Sequence, residues 1–175
     1  MIGKLLVGTI VIAGLLAGGA MYYLQVYHFY EPVNVTGTDD VQLVSMVSGQ
    51  PEPVLYDGFQ AIDADSSPIR YRACFTTTMS HAMLTETYEM YEDAVPNVAP
   101  GWFDCFDADQ IGAALEDGRA LAFLGQRDVQ YGIDRIVAIT EDGRGYVWHQ
   151  INRCGEVVFD GNPLPEGCPT PPEGN

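Results

Sequence analysis

Apolar and polar positions alternate along this chain in several distinct rhythms. The first is continuous. Lys4 is followed by an uncharged apolar run from Leu5 to Leu24, which passes into an aromatic cluster of Tyr22, Tyr23, Tyr27, Phe29 and Tyr30. Twenty helical residues rise about 30 Å, the thickness of a bilayer's hydrocarbon core. Residues 1–30 therefore predict a transmembrane helix with its bilayer contact through residues 5–24. The run exceeds the roughly 7–15 apolar residues of a secretory signal, and it continues past the small residues Ala17–Ala20, so an uncleaved anchor is expected.

Residues 31–40 are polar and predict a linker. The rhythm then shortens. Val41–Val47 has strand length and is broken by Pro51 and Pro53, and Phe59–Ile62 predicts a brief strand. Ile69–Thr76 alternates, with Ile69, Tyr71, Ala73 and Phe75 on one face and Arg70, Arg72 and Cys74 on the other, as in a half-buried strand. Met79, Met83, Glu86 and Met90 recur at helical spacing, which predicts a helix within Thr78–Ala94, ended by Pro96 and Pro100. Asp107 is a natural N-cap for a second helix carrying Ile111, Ala114 and Leu115, with Gly118 at its C-terminal end.

Ala120–Leu124 predicts a buried strand. Gly132–Thr140 and Tyr146–Ile151 alternate cleanly around Glu141-Asp-Gly-Arg-Gly145, and Asp142-Gly143 supplies the left-handed conformations a hairpin turn needs. Val157–Phe159 predicts a last strand. Pro163, Pro165, Pro169, Pro171 and Pro172 make residues 161–175 a Pro-rich tail. The fold class is thus α+β: a mainly antiparallel sheet with two short helices, preceded by one N-terminal transmembrane helix. Residues 41–160 form the folded domain.

Charge adds an orientation and an exclusion. Lys4 is the single lysine, whereas all 24 acidic residues and seven arginines lie at or beyond Glu31. Positive residues stay on the cytoplasmic side, which puts the N-terminus inside and the domain outside. So acidic a domain repels phosphate backbones, so no nucleic-acid partner is expected. Cys74, Cys105, Cys154 and Cys168 make an even count in an exported domain, which reads as two disulfides. Of the three pairings, Cys74–Cys105 and Cys154–Cys168 are preferred: the second closes a short Gly/Pro-rich loop and the first ties a strand to the segment before a helix.

Few residues suggest chemistry. Met79, His81 and Met83 supply the thioether and imidazole groups that soft Cu(I) prefers. Their spacing equally suits a helix that packs its methionines. Asp63-Ala-Asp65-Ser-Ser67 begins like a calcium loop but lacks the later Gly and Glu, so it reads as a surface turn. His149 could serve as a base with Asp134 or Asp160. Within the apolar run, Gly14 and Gly18 form a G-x-x-x-G strip on which a membrane-protein partner or a second copy could pack.

Several stretches occur together: Arg72-Ala-Cys-Phe75, Gly101-Trp-Phe-Asp-Cys-Phe-Asp107, Gly132-Ile-Asp-Arg135, Asp142-Gly-Arg-Gly-Tyr146, Trp148-His-Gln-Ile-Asn152 with Cys154-Gly155, and Phe159-Asp-Gly161 through Cys168-Pro169. With the N-terminal run, they resemble an uncharacterised bacterial family of short single-pass proteins, sometimes labelled histidine kinase. The chain has no Asn- and Gly-rich ATP-binding boxes to support that label. The resemblance implies an inner-membrane protein facing the periplasm and carries no catalytic residues or cofactor with it. The expectation is a non-enzymatic interaction or assembly factor for an envelope complex. A periplasmic copper protein using Met79, His81 and Met83 is the alternative, and an enzyme is third.

Overall fold

A computed structural model describes residues 2–172. Met1 and the last three positions of the tail lie outside the described residues. Helix α1 (Ile2–Tyr23) is apolar on every side and none of its residues is buried, as suits a helix solvated by lipid rather than by protein. With the π-helical turn Leu24–His28 that continues it, it is long and apolar enough to cross a membrane.

Beyond it lies an α+β domain built on a six-stranded antiparallel sheet. The strands are β1 (Glu31–Pro32), β4 (Asp57–Asp63), β5 (Arg72–Thr76), β8 (Arg144–Ile151), β7 (Ile133–Thr140) and β6 (Ala120–Gln130), in that spatial order. A separate ribbon pairs β2 (Gln42–Val44) with β3 (Pro51–Pro53). The hairpin β7–β8 is the spine, with Val137 opposite Val147 and Ile136 opposite Trp148. Gly143 takes φ +82° in its turn, a value that favours glycine.

The sheet is apolar on both faces. On the first, Tyr71, Ala73, Phe75, Val137, Ile139 and Val147 pack beneath Val41, Leu43 and Val54 of the ribbon region and Leu84 of α2 (His81–Thr87). On the second, Ile136, Ala138, Tyr146 and Trp148 pack beneath Ile111 of α3 (Ala108–Glu116) and the loop residues Phe103 and Phe106. Cys74 on this face is bonded to Cys105, which fastens the aromatic loop to β5. The partner disulfide joins Cys154 of α4 (Arg153–Phe159) to Cys168 in the tail, and the Tyr131 hydroxyl donates to the Pro169 carbonyl at 2.9 Å.

Five local expectations change. The β5 region is not half-buried: Arg72, Ala73, Cys74 and Phe75 are all buried, because a cover lies on each face. Pro51 and Pro53 do not end the ribbon but form its second strand, where the edge leaves a missing N–H without cost. The helix expected up to Pro96 stops at Thr87. Tyr88 turns extended and pairs with Ser45, Met90 pairs with Phe123, and the segment sews the ribbon to β6. Glu31–Pro32, expected within a linker, pairs with β4.

Val157–Phe159, expected as a strand, is the end of helix α4, which brings the domain's short helices to three rather than two. The Asn152 side-chain oxygen accepts from the backbone N–H of Cys154 and of Gly155, and that cap outweighs the strand preference of two valines.

The Phe75 ring occupies the space a side chain at Gly145 would need. Gly145→Val is expected to destabilise the domain by about 2 kcal/mol or more through overpacking, read as a lower urea midpoint with an unchanged slope.

Candidate functional site

Strand register sets a polar row across one end of the first face. Arg135 lies directly opposite His149, and Gln126 lies opposite Arg135. Alternation then places Tyr71 beside His149, and Asp63 beyond Tyr71. The same face that buries Val137, Val147 and Ala73 ends in these charged and aromatic groups.

The row is tightly held. The His149 ring stacks on Tyr71 with centroids 4.8 Å apart. Its Nδ1 lies 2.7 Å from the Pro68 carbonyl, which can only accept, so Nδ1 carries the proton. Nε2 is left as an acceptor and takes the Arg135 Nε–H at 3.1 Å. The guanidinium lies over the Tyr71 ring at 4.6 Å. Burial, with the charges of Arg135 and Arg72 adding to it and the Pro68 bond opposing, brings the imidazole down to about 4. Burial also raises the Asp63 carboxyl. A cavity of about 370 Å³ opens here, lined among others by Asp63, Asp65, Ser67, Gln130, Arg135 and His149.

His149 thus has neither of the carboxylate partners expected for a base. Asp134 points the other way, where its Oδ1 accepts from Asp128 N and Asn152 Nδ2, both at 2.9 Å. Asn152 also donates to Asp128 at 3.2 Å, so one amide joins the β6–β7 turn to the start of α4. This second polar group closes the hairpin end, where Gly132 and Gly155 approach too closely for a side chain on either.

Arg72 is a third polar element that sequence reading passed over. It is 4 % exposed and pairs with no carboxylate among the described residues. Its Nε–H donates to the Asn97 carbonyl, and its terminal nitrogens donate to the carbonyls of Ile69, Tyr71 and Val98 at 2.7–3.1 Å. It fixes two loops at the end of the domain next to the N-terminal helix. The clue was an arginine placed on the same strand face as Cys74.

Those loops grip the anchor. The Trp102 indole N–H donates to the Val26 carbonyl at 2.7 Å, and Arg70 donates to the Gln25 carbonyl and side chain at 3.3 and 2.9 Å. Carbonyls in the last turn of a helix lack intrahelical partners, and these two are satisfied by the domain.

The other candidate residues are dispersed. Met79 packs against the first core, whereas Met83 is 45 % exposed on α2. The His81 Nε2 donates to the Ile139 carbonyl at 2.8 Å. Nothing lies within 4 Å of where side chains on Gly14 and Gly18 would begin, so that strip is open. Among the described residues, no group of three His, Cys, Asp or Glu side chains could hold a metal ion.

A neutral His149 makes stability depend on pH. The unfolded ring titrates near 6.5 and the folded ring near 4. Between those values the unfolded chain binds more protons. The contribution is therefore full above pH 6.5, erodes as pH falls, and is gone below about 4. Its size is about 3 kcal/mol. Urea unfolding at pH 7.5 and pH 5 should show that difference shrinking in His149→Gln.

No curated protein and no solved structure matches the chain. The sequence model of one family does match, over residues 41–169, which takes in five of the sheet's six strands, both faces of its cover, the polar row and both disulfides. The chain belongs to that family of unknown function, DUF6446.

Proposed function

We propose that the protein is a bacterial inner-membrane component, N-terminus cytoplasmic and domain periplasmic, acting as a non-enzymatic interaction or assembly factor for an envelope complex. The observation that carries this reading is the grip of Trp102 and Arg70 on the last turn of the anchor. A flexible tether would only hold a domain near the membrane. A gripped helix makes span and domain one body, able to present a fixed surface both within the bilayer and above it.

Further features support the reading. Lys4 lies before the apolar run, and every acidic residue lies after it. Two disulfides with no free cysteine among the described residues suit an oxidising compartment. Trp102 and Tyr30 meet edge to face at the junction, where amphipathic rings favour a bilayer's interface. The open Gly14/Gly18 strip offers the contact through which a partner helix would pack.

Affinity purification of the full chain from gently solubilised membranes is expected to recover a stoichiometric membrane partner. Gly14→Leu with Gly18→Leu should reduce that recovery. A metal-free monomer recovered alone would overturn the proposal. Trp102→Ala with Arg70→Ala should loosen the junction, seen as several-fold faster proteolysis between Leu24 and Asp40 while the two disulfides remain intact.

A further inference from the structure

The polar row has one feature that its structural role leaves unused. Arg119 and Arg144 border the larger cavity of about 680 Å³, and both are ion-paired, with Asp117 and Asp142. Arg127 pairs with Glu89. Arg70 and Arg72 spend their terminal nitrogens on the anchor and on loop carbonyls. Arg135 is half-buried and differs. Its Nε–H goes to His149, its flat face lies on Tyr71, and its terminal nitrogens make no hydrogen bond to any described residue. Orientation is fixed by two contacts, yet the planar fork that matches a carboxylate stays open beside a cavity.

The cavity's other charges define what that fork would receive. Asp63 and Asp65 line it with Ser66, Ser67 and Gln130. An anion alone would meet repulsion from two carboxyl groups. A cation alone would face the guanidinium. A molecule with both charges at once answers the whole lining, with hydroxyl and amide groups left to bond its remaining polar atoms. At about 370 Å³ the space is at the lower end of small-molecule sites. We infer that this cavity binds a small zwitterion of amino-acid or dipeptide size, its carboxylate on the Arg135 fork and its ammonium on the Asp63/Asp65 side.

The inference stands apart from the proposed assembly role, since it needs neither a partner nor a bilayer. Its position adds a consequence. The same loop that carries Asp65 and Ser67 supplies the Pro68 carbonyl to His149 and, at Arg70, the grip on Gln25. An occupant would therefore order the segment that joins the sheet to the anchor.

The test uses the full chain in detergent, titrated by calorimetry and thermal unfolding against the free L-amino acids and the dipeptide Ala-Ala. At least one probe is expected to bind and raise the unfolding midpoint. Its amide, which lacks the carboxylate, and its N-acetyl derivative, which lacks the ammonium, should each bind at least tenfold more weakly. Arg135→Gln should weaken binding by a similar factor. Asp65→Asn changes an exposed residue, so it keeps the fold should Arg135→Gln not, and should weaken binding several-fold. The inference is overturned if no probe binds the wild-type chain, or if either variant, folded, binds as tightly as wild type. An amide that binds equally well would make this a cation site, and an equally tight N-acetyl derivative a plain carboxylate site; either result overturns it.

Discussion

A small antiparallel sheet with apolar side chains on both faces must be covered twice, and this requirement shapes most of the domain. Antiparallel sheets commonly leave one face to water. Here Phe75 and Val147 point one way, Cys74 and Trp148 the other, and all are buried. With about 145 residues beyond the N-terminal helix, the chain has too few long helices for the task. The first face is closed by a two-stranded ribbon and the seven-residue α2, the second by the nine-residue α3 and an aromatic loop. Loops are weak lids unless fastened. The Cys74–Cys105 bond and the Asn97 and Val98 carbonyls held by Arg72 fasten this one, and the bond closes 31 residues of sequence.

What the sequence disclosed follows from this arrangement. The β7–β8 hairpin was legible because its turn chemistry is local and its alternation uninterrupted. The α3 cap was legible at Asp107, whose carboxylate accepts from Gln110 N. Elements set by distant partners were not. Tyr88–Tyr91 kept a helical spacing of apolar residues, but its backbone is claimed by Val44 and Ala122. Val157–Phe159 has strand composition, but a cap five residues upstream decides it. Alternation along Ile69–Thr76 was read correctly, while burial of its second face depended on a loop thirty residues away.

The candidate site was less legible, and for a physical reason. His149 invites pairing with an acid, the usual partner for a catalytic imidazole. Strand register pairs it with an arginine instead, and the carbonyl of Pro68 sets its tautomer. His149 and Arg135 lie on adjacent strands and Tyr71 just before a third, and they gain their meaning only from lateral neighbours. Sequence spacing encodes the face each residue occupies. It does not encode which strands stand side by side.

The grip on the anchor has a further geometric consequence. Successive residues of a helix turn by about 100°, so positions seven and eleven apart return to within about 20° of one bearing. Gln25 is seven residues from Gly18 and eleven from Gly14, so the residue held by Arg70 stands near the same bearing as the small-residue strip, up to the slight unwinding of the π-helical turn. The domain is therefore hung over the side of α1 where a neighbouring helix could come closest. A helix lying in that strip would run up against the loop 67–70, so it could not extend past Gln25 without touching the domain.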